Sequence, residues 1–170
     1  VGLDSGLSEV RDKALAKDFA AAATQPGSVT PKSIAEDWVK HCLGFITELK
    51  AFNIAIDAGN GMAGSILPHI LPSLPLTAKE MYFELDGTFP NHEANPQKME
   101  NLADLAQAVK EGSLDFGIAF DGDGDRAVFV DDLGRPVLGT DLMSIVARLY
   151  LTKYPGGKVV HDVRTSRATQ

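Results

Sequence analysis

At 170 residues, 44% hydrophobic and 23% charged, the chain suits one globular domain with attachments and can bury a substantial core. Its net charge of −7 excludes a general nucleic-acid binder, which needs clustered Lys and Arg for phosphate contacts. Cys42 stands alone, which excludes an intrachain disulfide and a cysteine-based zinc site, and without a membrane-length apolar run or a signal-peptide pattern the expectation is a cytoplasmic protein with no membrane partner.

In chain order, residues 8–20 read as a short polar helix, followed by a linker-like "AAATQPGSV". Thr30 is a candidate N-cap with Pro31 at the first helical position, where a missing N–H costs nothing. Ile34, Trp38, Cys42, Phe45 and Leu49 then recur at helical spacing as one apolar stripe. "FNIAIDAGNGMAG" reads as a strand entering a glycine-rich turn, and "SILPHILPSL" as a short helix that tolerates Pro68 only near its first turn. "AKEMYFEL" is a second strand, "DGTFPNHEANPQKM" a long loop, and Asn101 the cap of a helix through Lys110. "LDFGIAF" and "AVFVDD" are strands on either side of an acidic loop. "DLGR" turns the chain back, Thr140 or Asp141 caps a helix reaching Lys153, and "GKVVHDV" is a last strand. Strands alternating with helices predict an α/β fold: a three-layer αβα domain on a mixed, largely parallel sheet.

The acidic loop, "FDGDGDRAVF", carries most of the functional signal. In an extended segment, side chains at alternate positions share a face, so Asp121, Asp123 and Asp125 converge while Gly122 and Gly124 supply conformational freedom. Converging carboxylates repel unless something positive sits among them, and an all-oxygen donor set selects a hard cation such as Mg²⁺, Mn²⁺ or Ca²⁺. An EF-hand is excluded, because its sixth loop position, normally Gly, is Arg126 and the flanks read as strands. Arg126 either balances the local charge or offers a bidentate donor to a phosphate beside the metal.

"GNGMAG", Gly59 to Gly64, matches the dinucleotide-binding pattern and has Glu84 or Asp86 at a suitable distance. Against nucleotide binding, Asp57 would place negative charge near a pyrophosphate and Pro68 shortens the helix. A tight strand-to-helix turn, with Asp57 hydrogen-bonded to the turn amides, is the preferred reading. His92, alone in its loop, is read as a hydrogen-bonded structural residue.

Taken in order, "DAGNGMAG", "FELDGTFPNHEANP" and "IAFDGDGDR" closely resemble the second domain of the α-D-phosphohexomutases, the phosphomannomutase/phosphoglucomutase family. The resemblance runs from Thr30 onward. It implies a metal-binding α/β domain over 30–135, the tail of a first domain and a linker over 1–29, and the opening of a third domain over 136–170. It also implies that Mg²⁺ is held by Asp121, Asp123 and Asp125 together with a phosphoserine on the first domain. The serine passes its phosphate to a hexose 1- or 6-phosphate, the bisphosphate reorients, and the original phosphate returns to the serine. Within that scheme Arg126 is a catalytic, phosphate-binding residue, and Arg164 in "DVRTSR" is a second phosphate-binding one.

The family's serine motif T-A-S-H-N-P, its sugar-selecting G-E-x-S-G-H and its fourth-domain phosphate loop do not occur in these 170 residues. With no initiator Met and an end directly after a strand-like run, the chain is expected to be a piece of a longer polypeptide, inactive without its first, third and fourth domains. A stand-alone divalent-cation-binding module and a nucleotide-binding oxidoreductase domain built on "GNGMAG" are the alternatives.

Overall fold

Strand β1, Phe52–Asp57, is an interior strand of the sheet. From Ile54 onward its residues are buried whichever way they point, so Ala55 and Ile56 are both out of water on opposite faces of the sheet. A strand buried on both faces needs covering layers on both sides, which is the three-layer α/β arrangement. The structure, a computed structural model, describes residues 2–21, 23–25, 27–161, 163 and 165. It divides into two compact units, Val1–Ser33 and Ile34–Gln170.

The first unit contains helix α1, Leu7–Leu15, which has no buried residue and carries a Glu9–Lys13 ion pair one turn apart. The second unit holds a five-stranded sheet in the order β2-β1-β3-β4-β5. The other strands are β2 (Leu76–Met81), β3 (Phe116–Phe120), β4 (Ala127–Val130) and β5 (Pro136–Val137). β1 runs parallel to β2 and β3, whereas β4 is antiparallel to both β3 and β5, so the sheet is mixed. The β4–β5 reversal is fixed by Asp131, whose carboxylate accepts the amides of Leu133 and Arg135 and pairs with the Arg135 guanidinium.

Helix α4, Ala103–Gly112, covers one face. Leu105, Ala108 and Val109, at helical spacing, pack with Leu102, Ala55, Ala119 and Val130 into the core. The approach is close: a methyl group on Gly117 would lie 2.7 Å from a Val130 methyl and 2.8 Å from Leu105. The opposite face carries Ile54 and Ile56, with Phe116 in edge contact with Phe52 and tilted against Phe129.

Several boundaries differ from the sequence expectations. Helix α2 spans Ala35–Leu43, so Thr30 and Pro31 lie ahead of it and Ile34 holds the N-cap position without a side-chain cap. Glu36 and Asp37 in its first turn and Lys40 and His41 in its last suit the helix dipole at these ends. Its half-buried stripe is Ala35, Trp38, Val39, Cys42 and Leu43, because Gly44 ends the helix before Phe45 and Leu49 can join. Pro68 lies inside helix α3, Ala63–Ile70, beyond the first turn. Asn101 sits in a short 3-10 turn, Met99–Leu102, and donates to the Asn95 carbonyl, so α4 starts later and uncapped. Helix α5, Gly139–Lys153, starts after Leu138, with Thr140 and Asp141 already in its first turn. The expected last strand is not formed among its described residues, where Val160 is 92% exposed and no sheet edge is paired with it.

Candidate metal centre

Strand β3 delivers Asp121 to the end of the sheet, where the next residues form a tight loop. Asp121 is fully buried, while Asp123 and Asp125 are exposed. One carboxylate oxygen from each lies within 4.8 Å of the others. The loop is closed by its own hydrogen bonds: the Asp121 amide donates to the Arg126 carbonyl at 3.2 Å, and the Gly124 amide to the Asp121 carbonyl at 3.1 Å. Gly124 has φ of +77°, a left-handed conformation that admits the turn.

Burying the Asp121 carboxylate would by itself push its pKa up, yet it is held below the ordinary carboxylate value. The Arg126 amide donates to Oδ1 at 3.0 Å and the Arg126 Nε to Oδ2 at 2.5 Å, and together they outweigh desolvation. Arg126 also lies 3.6 Å from Asp125 while remaining half-exposed. Three oxygen donors converging from one loop, with the buried one already ionised, fit a hard divalent cation.

Beneath this loop lies the turn that follows β1. Asp57, fully buried, accepts the Gly59 amide at 2.8 Å, as expected for an aspartate that organises a turn. The Met62 amide donates to the Gly122 carbonyl at 2.9 Å. A methyl group on Gly61 would lie 2.7 Å from that same carbonyl oxygen. The middle glycine of "GNGMAG" is therefore required by the acidic loop packed against it. Helix α3 is equally tight, since a methyl on Gly64 would fall 2.2 Å from the Phe83 carbonyl oxygen.

The long loop after β2 closes the other side. His92 is hydrogen-bonded at both ring nitrogens, Nε2 to Asp57 at 2.9 Å and Nδ1 to the Glu93 carbonyl at 2.9 Å. Burial would lower its pKa, but the Glu93 carbonyl and the Asp57 charge raise it overall. Asn60, buried and left-handed at φ +57°, donates from its side chain to Glu84 and accepts from Asn91.

Of the residues singled out from sequence, Asp121, Asp123, Asp125 and Arg126 are thus brought together at one loop. Arg164 lies outside the described residues. Asn60 and Asn91 were not singled out; the sequence signal for them is their place in the two glycine- and asparagine-rich segments that flank the site.

Residues 36–134 match the family described as phosphoglucomutase/phosphomannomutase, alpha/beta/alpha domain II. The chain belongs to this family. A phosphoglucomutase of Neisseria meningitidis serogroup B is 41% identical over 89% of the chain and 33% of its own length. A phosphomannomutase/phosphoglucomutase of Pseudomonas aeruginosa is 34% identical over 95% of the chain and 34% of its own length. A crystal structure of a family protein from Burkholderia thailandensis superimposes with a TM-score of 0.81 at 29% identity, over 94% of this chain and 34% of that one. The chain therefore spans about a third of the relatives it matches. Among the described residues, no helix is long and apolar enough to cross a membrane.

Proposed function

We propose that the protein to which this chain contributes is a cytoplasmic phosphohexomutase. It interconverts hexose 1-phosphate and hexose 6-phosphate (mannose, glucose or both) through a phosphoserine and a bisphosphate intermediate. Residues 30–135 form its metal-binding domain, with residues 1–29 belonging to the domain before and 136–170 to the domain after. The match over residues 36–134 supports the middle assignment. The observation that carries the reading is the convergence of Asp121, Asp123 and Asp125 beside Arg126.

In this reading the three carboxylates hold Mg²⁺, which when bound offsets negative charge on the transferring phosphoryl group. Asp121 contributes the fixed ligand, because its buried carboxylate is ionised by Arg126 and its loop is closed by backbone hydrogen bonds. Asp123 and Asp125, both exposed, can adjust to the ion. Both ion pairs of Arg126 are made through Nε, so its terminal amino groups can face a phosphate oxygen. Arg164 is assigned a second phosphate contact on the resemblance alone.

A coupled mutase assay with a hexose bisphosphate primer tests the reading. The full-length protein turns over with Mg²⁺, and Asp123→Asn lowers kcat on the order of 10²-fold, as loss of a charge-stabilising group does. The 170-residue chain shows no turnover, because it holds the charge-stabilising centre without the serine donor or the sugar-orienting loop. Turnover by the 170-residue chain, or full activity of a full-length protein lacking all three carboxylates, overturns it.

A further inference from the structure

The loop of residues 86–96 does more than connect β2 to α4. Phe89 and Ala94 abut the acidic loop, since a first side-chain carbon on Gly122 would sit 3.5 Å from the Phe89 ring and 3.7 Å from the Ala94 methyl. The same segment abuts the turn after β1, because a carbon added at Gly59 would sit 3.4 Å from Ala94 and 3.6 Å from the His92 ring. Its attachment at that point is the His92–Asp57 pair, made by a buried carboxylate and a mostly buried imidazole. Left-handed, non-glycine backbone at Asn60, Tyr82 and Phe89 surrounds the junction. Such conformations persist only where neighbouring contacts over-determine them.

We propose that His92 is a positioning residue for the cation site: by pairing with Asp57 it fastens the 86–96 loop against Gly122 and so sets the backbone from which Asp121, Asp123 and Asp125 project. The assignment rests on the cation reading above.

The hydrogen bonds give this role a pH signature. Both ring nitrogens face oxygens that accept, the Asp57 carboxylate and the Glu93 carbonyl. Either neutral tautomer presents one lone pair to an oxygen, so the pair is satisfied only while it holds an extra proton. The other groups facing His92 are Tyr82, in edge contact at 5.3 Å, and Asp104 of α4. The Tyr82 hydroxyl donates to Asp104 at 2.7 Å, which pushes its pKa up to about 12 and keeps it neutral. Burial pushes the Asp57 carboxyl up while His92 is raised above its ordinary 6.5, so the clasp is intact below 6.5 down to the range where Asp57 itself takes up a proton, and is lost as pH rises through the raised histidine value. Carboxylate ligands alone behave oppositely, gaining affinity with rising pH until fully ionised.

Mn²⁺ titration of the full-length protein, followed by the signal of the free ion at about pH 6 and about pH 9, tests the proposal across the histidine range. The wild type is expected to bind several-fold more weakly at the higher pH. His92→Gln is expected to bind about 10-fold more weakly than wild type at the lower pH, as loss of an outer partner of metal ligands does, and to show no further fall. Wild-type affinity and pH profile in His92→Gln overturn the positioning role while leaving the site standing. Equal binding by wild type and Asp123→Asn removes the cation site, and the proposal with it. Hydrogen exchange at the Gly124 and Arg126 amides without metal reads loop positioning separately: faster exchange in His92→Gln supports it, and unchanged protection overturns it. Should His92→Gln not fold, the wild-type pH profile decides: a fall supports the proposal, and a constant or rising affinity overturns it.

Discussion

Asp57 and Asp121 are both fully buried, both stand at the mouth of a glycine-rich turn, and both are paired with a cationic side chain. Their fates differ because of what surrounds them. Asp57 spends its oxygens inward, on the Gly59 amide and on His92, whose side chain is only 14% exposed. Asp121 is paired with an Arg126 whose side chain is 50% exposed, and stands beside two further carboxylates that are exposed. The first arrangement is closed and holds two segments together; the second is open on one side and has charge to offer. Under the proposed function, the exposure of the neighbours is what separates the aspartate that clasps from the one that ligates.

The largest effect expected is on the closed side. Gly64→Ala drives a methyl into the Phe83 carbonyl oxygen, against backbone that cannot step aside as a side chain would. Denaturant unfolding of the 170-residue chain should show a loss of about 3 kcal/mol or more, the upper range for overpacking. A loss near zero would mean that the start of α3 and the segment after β2 are not in contact.

Next, His92→Leu leaves Asp57 buried without its cationic partner and should cost about 3 kcal/mol near pH 6, as breaking a buried pair does. The His92 contribution is fully present below its ordinary 6.5 and lost as pH rises through the raised value, so the difference between wild type and variant should shrink toward alkaline pH. A difference that is constant with pH would show that the clasp does not depend on protonation.

Arg126→Gln should destabilise less, because water can reach the half-exposed partner position. Its signature is the opposite pH limb. The Asp121 carboxyl is held below its ordinary 3.8, so this pair contributes above that value and is lost as pH falls through the lowered one. Acid titrations of wild type and variant should therefore converge at low pH.

The smallest effect expected is none at all: NAD and NADP should leave the thermal midpoint of the chain unchanged, because Gly61 is packed against Gly122. Saturable binding abolished by Gly61→Val would contradict this.

The strands flanking the acidic loop and the convergence of its aspartates were legible in sequence, because both follow from alternation and short-range spacing in one segment. The tight turn after β1 was legible for the same reason, with Asp57 on the turn amide as expected. The purpose of Gly61 was not, since it depends on Gly122, which is distant in sequence and meets it only when β1 and β3 lie side by side. His92 was read as hydrogen-bonded, but its partner Asp57 comes from the end of β1, distant in sequence. Helix starts failed where a good capping residue was present but unused, as with Thr30 and Asn101. In the second case the Asn101 side chain was taken by a loop carbonyl instead.

Under the proposed function the acidic loop holds one divalent cation through its three carboxylates. Calorimetric titration of the 170-residue chain with Mn²⁺ and with Mg²⁺, in wild type and in Asp123→Asn, reads that binding. We expect a single weak site in the wild type, weak because under the proposed function a phosphoserine outside these residues supplies a further ligand, and no measurable binding in Asp123→Asn. Equal binding by the two chains, or none by the wild type at millimolar ion, would contradict it.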